Sequence, residues 1–424
     1  MSTSPRNRPC PCGSGRKYKK CCLQPEHAAH PAPNHPDYFR LKGETAERFL
    51  RVLAKKTFFQ DWCFGSPKLP DKKELCDLLV VYDDVAIIWQ VKDLKLDDAG
   101  FYKRSSVEKN LRQLVGARRQ LVDLGTRIEV TNAHGTRQVL DTASIREVFL
   151  VSAMMGEPEE CGAFLEEFKE YRIHVVGRSF AELLLNELDT VADFIAYLRA
   201  KETICDSGKS MVIEGGEEDL LAAYLQDGRT FDQFAKADMV LLSGNMWQHL
   251  TKKPEWAAKK EADRVSYAWD SLVERARSAS AEYEPVAREL ARPARFQRRV
   301  LGQQFLDAHA TAHRTGQPFR RIVPLDDTAF LFLFEDDPTE ERHHRKQHLA
   351  VSCFIARGAT GCRKVLGIAT EKRLRRLCSY DFALIDMPEW TAEDQTRMEE
   401  LQAATGILVN AKPRGYRASE YPAS

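Results

Sequence analysis

The chain has 424 residues, 43% of them hydrophobic and 29% charged, and its 63 Lys and Arg nearly balance 62 Asp and Glu. That length calls for two or three hydrophobic cores rather than one, and a formal net charge of +1 gives no argument for or against a nucleic-acid partner. No stretch approaches about 18 uncharged apolar residues, so no membrane span is expected. Met1 to Pro9 is polar and basic without the apolar core of a secretory signal.

The first signal in chain order is the cysteines. Seven of the eleven are scattered singly (Cys63, Cys76, Cys161, Cys205, Cys353, Cys362 and Cys378), mostly beside apolar residues, as buried reduced thiols are. The other four, Cys10, Cys12, Cys21 and Cys22, crowd into thirteen positions. That contrast fits a reducing cytoplasm and a metal site rather than a disulfide scaffold. Two ligand pairs joined by eight residues suit the four-coordinate tetrahedron that zinc prefers. Gly13 and Gly15 let the backbone turn so that the pairs can meet. Arg16, Lys17, Lys19 and Lys20 offset a tetrathiolate charge of about −2 and favour the thiolates. A segment with so little core needs the metal to fold. From Arg6 to Lys20 there are six basic residues and no acidic one.

These residues, with the Gly-Ser-Gly turn and the basic spacer around Tyr18, resemble the SEC-C motif, the zinc-binding element known from the C-terminal tail of the SecA translocase ATPase. The resemblance implies structural zinc on Cys10, Cys12, Cys21 and Cys22 and a module, residues 1–23, that docks on protein partners or ribosomes. It names a module found on many unrelated proteins.

Residues 24–40 read as a linker, since Pro25, Pro31, Pro33 and Pro36 sustain neither a helix nor a central strand. Glu44 to Lys55 has helical spacing at Ala46, Phe49, Leu50, Val52 and Leu53. The apolar runs Leu78–Val81 and Val85–Trp89, separated by Tyr82, Asp83 and Asp84, predict a β-hairpin. Ser105–Leu124 is an amphipathic helix with Leu111, Leu114, Val115 and Leu121 on one side, and Val148–Val151 and Ile173–Val176 look like strands. Phe180–Ala200 reads as a strongly apolar helix or helix pair. Residues 207–299 read as helical and charged. Residues 300–424 read as a second α/β unit with strands at Ala329–Phe334, Leu349–Ile355, Val365–Ile368 and Phe382–Ile385, a helix at Thr391–Thr405 and a short final strand at Ile407–Val409. The expected class is α/β: a zinc knuckle, a mixed α/β core over residues 41–206, a helical middle region and a C-terminal α/β domain.

The hairpin brings chemistry together. Gln90 and Lys92 share a strand face because side chains alternate, and the turn sets Asp77, at the start of the first strand, beside them. Glu47 lies on the preceding helix. Mg²⁺ takes oxygen ligands in octahedral geometry, and phosphodiester hydrolysis needs a cation near the attacking water. The segments Gly43-Glu44-Thr45-Ala46-Glu47-Arg48, Cys76-Asp77-Leu78-Leu79-Val80-Val81 and Trp89-Gln90-Val91-Lys92 resemble the PD-(D/E)XK nuclease superfamily, especially its NERD-like and Mrr-like branches. Lys109 to Gln113 resembles the Gln-bearing helix of NERD-like members. The resemblance implies a restriction-endonuclease-like core in which Asp77 binds Mg²⁺ and Gln90 assists through its side chain or carbonyl. Lys92 orients the nucleophile, and Glu47, or Glu44 in its stead, adds a metal contact. Gln90 replaces the acid of the superfamily's name, and Leu75 stands where NERD-like proteins usually carry Glu, with Glu74 shifted by one.

Other signals carry less. Gly13 to Lys17 lacks the spacing and preceding strand of a phosphate loop. His309 and His313 lack the Glu of a zinc protease, and His343, His344 and His348 read as a solvated run. Asp386 to Trp390 reads as a helix start, and Arg288 to Arg299 as an exposed helix or linker. The expected function is a cytoplasmic, Mg²⁺-dependent nuclease acting on DNA or RNA and carrying a structural zinc. The alternative is a non-enzymatic adaptor whose knuckle docks on a protein, a ribosome or nucleic acid.

Overall fold

The computed structural model describes residues 38–131, 135, 137–156, 165–337, 342–373, 378–409, 411–412 and 415–422. The four-cysteine cluster and nearly all of the proline-rich stretch lie outside the described residues. The fold is mixed α/β, and the chain divides into two units at Leu250 and Thr251.

In the first unit α1 (Tyr38–Phe58) precedes β1 (Cys63–Gly65), β2 (Leu78–Tyr82) and β3 (Val85–Lys92). The helix begins two residues after Pro36, so the linker reading is too long by Tyr38 to Arg40. The hairpin is as expected: Tyr82 pairs with Val85 across Asp83 and Asp84, and Asp83 takes the positive φ of 52° that such two-residue turns require. Next come α2 (Arg104–Arg118), the small antiparallel pair β4 (Glu129–Thr131) and β5 (Arg137–Val139), and then β6 (Glu147–Met154), β7 (Leu165–Phe168) and β8 (Tyr171–Gly177). The main sheet runs β1-β2-β3-β6-β8-β7. Its centre is parallel, β3 to β6 to β8, and parallel neighbours need a long crossover, which α2 supplies between β3 and β6.

Both faces of this sheet are covered, which is why β3 is apolar almost throughout. On one face Leu111, Leu114 and Ala117 of α2 pack with Leu79, Ala86, Ile88 and Leu150. On the other, Trp89 lies 5.7 Å, centroid to centroid, from Phe194, which is edge-on to Phe58 of α1 at 5.0 Å. Phe194 belongs to α4 (Val191–Asp206), which follows α3 (Arg178–Glu187). The expected helix pair breaks at Thr190, whose hydroxyl oxygen accepts from the Asp193 N–H as an N-cap. Beyond it the stretch read as purely helical also holds two strands. β9 (Ser210–Ile213) and β10 (Met239–Leu242) pair in parallel around α5 (Glu217–Gln226), and α6 (Met246–Lys252) closes the unit.

The second unit opens with α7 (Pro254–Ala262), α8 (Ser266–Ala279), α9 (Glu284–Ala291) and α10 (Arg295–Thr315). The arginine run is not an exposed linker. Arg295, Arg298 and Arg299 are buried. Arg298 and Arg295 donate to the two Asp270 oxygens at 2.7 and 2.9 Å, and Arg299 donates to Asp263 at 3.1 Å. Buried guanidiniums need such partners, so these three cations are committed inside the unit. His309 of α10 is a core residue stacked on Phe334, ring centroids 4.9 Å apart.

The unit's sheet runs β11 (Phe319–Leu325), β12 (Thr328–Phe334), β13 (Lys364–Thr370) and β14 (Asp381–Asp386), with only the β12–β13 pair parallel. The crossover between them is α11 (His343–Thr360), so the expected strand Leu349–Ile355 is a helix. Leu349, Cys353 and Ala356 face the sheet, while Ile355, Val351 and Phe354 pack with Met398 of α12 (Ala392–Thr405). A helix apolar on two sides shows the continuous run of a buried strand. Two further corrections concern edges. β11 went unrecognised because Arg320, Arg321 and Pro324 give it an edge strand's composition, and Ile407 to Val409 form a turn rather than a strand.

The described cysteines Cys63, Cys76, Cys205, Cys353 and Cys362 are free thiols, and burial pushes the thiols of Cys63 and Cys353 up to about 12. Among the described residues no helix is long and apolar enough to cross a membrane.

The seat of α11 on β13 is close. A Cβ on Gly367 would stand 2.4 Å from the Cys353 sulfur and 2.7 Å from Leu349 Cδ1. Gly367→Ala should therefore destabilise the second unit by about 1–3 kcal/mol through overpacking. Denaturant unfolding measures this, and an unchanged midpoint would show that the helix does not pack there.

Candidate active site

Asp77 immediately precedes β2, and the register Leu78 to Trp89 sets it opposite Gln90. Both are buried, at 6% and 5% exposure. Asp77 Oδ2 accepts from the Gln90 side-chain amide and from the Val91 backbone N–H, each at 2.6 Å. Strand alternation puts Gln90 and Lys92 on one face, the face that α2 covers. The acid and the amine expected to meet are thus on the same side of the sheet, and the Lys92 charge acts on both Asp77 and Glu47.

Glu47 arrives from α1, whose Phe58 packs on the opposite, Trp89 side. Its carboxylate Oε2 accepts from Arg51 Nη2 at 3.1 Å, one helical turn on. The same Nη2 donates to Ser66 Oγ, and to the Asp77 carbonyl at 3.3 Å. Gly65 is what admits this guanidinium: a Cβ there would lie 3.0 Å from Arg51 Cζ. Arg51 therefore ties α1 to the β1–β2 edge and to the backbone of Asp77. Sequence reasoning passed over it, although its i+4 spacing from Glu47 was a signal.

The electrostatics follow from crowding acids in a partly dry place. Burial holds the Glu47 carboxyl above the usual range, and repulsion from Asp77 adds to this while Arg51 pulls the other way. Burial likewise raises Asp77, opposed by the Val91 N–H and then by Lys92, with Glu74 adding repulsion. Glu74 is exposed and acts on both acids, so it belongs to the neighbourhood, while Leu75 is a core residue. Glu44, the stand-in for Glu47, is exposed. In the Lys109–Gln113 segment Lys109 and Gln113 are exposed. The buried polar side chain is Asn110, which donates to Ser152 Oγ at 2.6 Å. Ser152 is the register partner of Gln90 on β6, so a polar row Asp77, Gln90, Ser152 and Asn110 crosses from the hairpin to α2.

Two or three carboxylates, one amine and one amide at a strand end suit a hard divalent cation with oxygen ligands. Burial is the main cause that raises both acids. Asp77, Glu47, Gln90 and Lys92 therefore share one electrostatic site, and Cys10, Cys12, Cys21 and Cys22 lie outside the described residues.

Comparison with known proteins bears on the N-terminus alone. Residues 6–24 match the family model for the SEC-C motif, which points to a zinc-binding module. No curated protein and no solved structure matches the chain, and nothing in these comparisons supports a PD-(D/E)XK nuclease domain.

The raised Asp77 pKa has a stability consequence. Its folded value lies above the ordinary 3.8, so the group's contribution is fully present below that pH and is lost as pH rises through the folded pKa. Asp77→Asn keeps an oxygen for Val91 and Gln90 but carries no charge. Its melting temperature should match wild type in acid and exceed it at neutral pH. A variant less stable than wild type at pH 7 would contradict the assignment.

Proposed function

We propose that residues 41–206, within the first unit, form a divalent-metal-dependent phosphodiester hydrolase acting on nucleic acid, and that the N-terminal SEC-C-like module binds zinc through Cys10, Cys12, Cys21 and Cys22. The observation that carries the first half is the meeting of Asp77 with Gln90 across the hairpin, within charge range of Lys92 and of Glu47 from a separate helix. Asp77 and Glu47 would hold Mg²⁺, which when bound polarises a phosphoryl oxygen and lowers the pKa of a coordinated water. Gln90 fixes the Asp77 carboxylate through its amide. Lys92 supplies a positive charge beside the two acids, suited to orienting the attacking water. Arg51 positions Asp77 and Glu47 by bonding the backbone of one and the carboxylate of the other.

The zinc module's basic spacer, from Arg16 to Lys20, suits contact with phosphates or with an acidic protein or ribosomal surface. The buried free thiols of Cys63, Cys76 and Cys353 agree with a reducing, cytoplasmic setting.

One observation favours a second reading, a non-enzymatic adaptor. Asp77 Oδ2 already accepts two hydrogen bonds, a use that a purely structural carboxylate would also make of it. Under that reading the core is a scaffold and the zinc module does the binding, so a partner recovered with the full chain is lost with Cys21→Ser and Cys22→Ser.

Cleavage of plasmid and single-stranded substrates in Mg²⁺ or Mn²⁺ separates the two. Asp77→Asn and Lys92→Ala should each lower the rate about a hundredfold or more, the scale of losing one transition-state charge contact. Equal rates in wild type and both variants would rule out this site. The Cys21→Ser and Cys22→Ser pair should lower bound zinc by one ion per chain, and metal analysis showing no change would remove the cysteine site.

A further inference from the structure

A second metal-ligating cluster stands in the other unit. Glu335 lies one residue past the end of β12, and His344 and His348 sit one turn apart near the start of α11. The two imidazole centroids are 3.9 Å apart. Nδ1 of His348 lies 3.0 Å from Glu335 Oε2. One ligand atom from each of the three residues lies within 4.8 Å of the other two. Among the described residues, no other three Asp, Glu, His or Cys side chains meet so closely.

Two imidazole nitrogens and one carboxylate oxygen form a donor set for zinc and its first-row neighbours rather than for Mg²⁺ or Ca²⁺. Bonds of about 2.0–2.2 Å to one ion bring such ligand atoms to roughly 3–3.5 Å from one another. The His348–Glu335 pair is already at that spacing, and His344 needs only side-chain rotation.

The backbone beneath the cluster is fixed. The Glu335 N–H donates to the Thr370 carbonyl at 2.9 Å, and its own carbonyl accepts from Arg345 Nη1 at 3.4 Å. Arg345 is fully buried and donates through Nε to Asp381 at 2.6 Å, which ties α11 to β14. The carboxylate is therefore held at the carboxyl end of a parallel strand, where α/β sheets commonly bind ligands. The histidines are fixed by the helix that crosses over it. His344 is exposed and His348 half-buried, so the site opens to solvent.

We propose that Glu335, His344 and His348 bind one zinc-class divalent ion, with water completing the coordination, independently of the N-terminal cysteines. The idea goes beyond the nuclease reading and does not rest on it.

Zinc uptake by the full-length chain, stripped of metal and equilibrated against buffered Zn²⁺, tests it. Wild type should hold two ions. Cys21→Ser with Cys22→Ser should hold one, His344→Ala with His348→Ala should hold one, and the combined variant none. In the cysteine-variant background Zn²⁺ should raise the melting temperature, and the histidine changes should abolish the shift and weaken binding at least about tenfold. Both histidines lie outside the core, so the variants should melt as wild type does without metal. Unchanged uptake and affinity in the His344→Ala, His348→Ala chain overturns the proposal, as does a wild-type chain that holds no ion beyond the cysteine-dependent one. A cysteine variant that still holds two ions would instead count against the N-terminal site alone.

Discussion

The carboxylate of Asp77 organises one end of the main sheet. By accepting from the Val91 N–H and the Gln90 amide together, it couples the residue before β2 to the last turn of the pleat in β3. An uncharged apolar residue in its place would leave a buried N–H without a partner, at a cost of about 1–3 kcal/mol. Because the bond fixes Asp77 on the face of Gln90, it also fixes it on the face of Lys92. The neighbouring row continues through Ser152 to Asn110 on α2, so a polar seam runs beneath one edge of an otherwise apolar layer.

Arg51 turns this seam into a site. A helix packed mainly on the far side of the sheet has no reason to place an acid near Asp77 unless something draws it there. The guanidinium does so, joining Glu47, Ser66 and the Asp77 carbonyl with one nitrogen. The result is two acids held partly dry, both harder to ionise than in water. Such an arrangement opposes stability, and proteins keep unfavourable groupings of this kind mostly where a ligand relieves them. A cation bound between the acids would do so.

The legible parts of the fold were those governed by local period. The hairpin and β6 show as short continuous apolar runs covered on both faces, and α2 as a 3.6-residue apolar spacing packed on one. The helix α11 misled because α12 covers its second side, which erases amphipathicity. β11 was hidden by edge chemistry, and β9 and β10 by their four-residue length within a helical stretch. The meeting of Asp77 with Gln90 was legible because a tight hairpin makes distant positions neighbours. The bonds from Arg51 to Ser66 and to the Asp77 carbonyl were not, since they depend on how α1 meets the β1–β2 edge. The same limit applies to His344 and His348, whose ligand set is completed by Glu335 from a strand. It applies again to Arg295 and Arg298, whose partner Asp270 comes from α8. Partners that cross between elements are invisible to spacing.

The central claim is that the hairpin acid and the helix acid hold one divalent cation beside Lys92. A crystal structure of the protein soaked in Mn²⁺, phased on the metal's anomalous signal, tests it most directly. A peak at about 2.1 Å from carboxylate oxygens of Asp77 and Glu47 is expected, with the lysine ammonium nearby. A strand end free of anomalous density, with the Asp77 oxygens still wholly engaged by Val91 and Gln90, would contradict it.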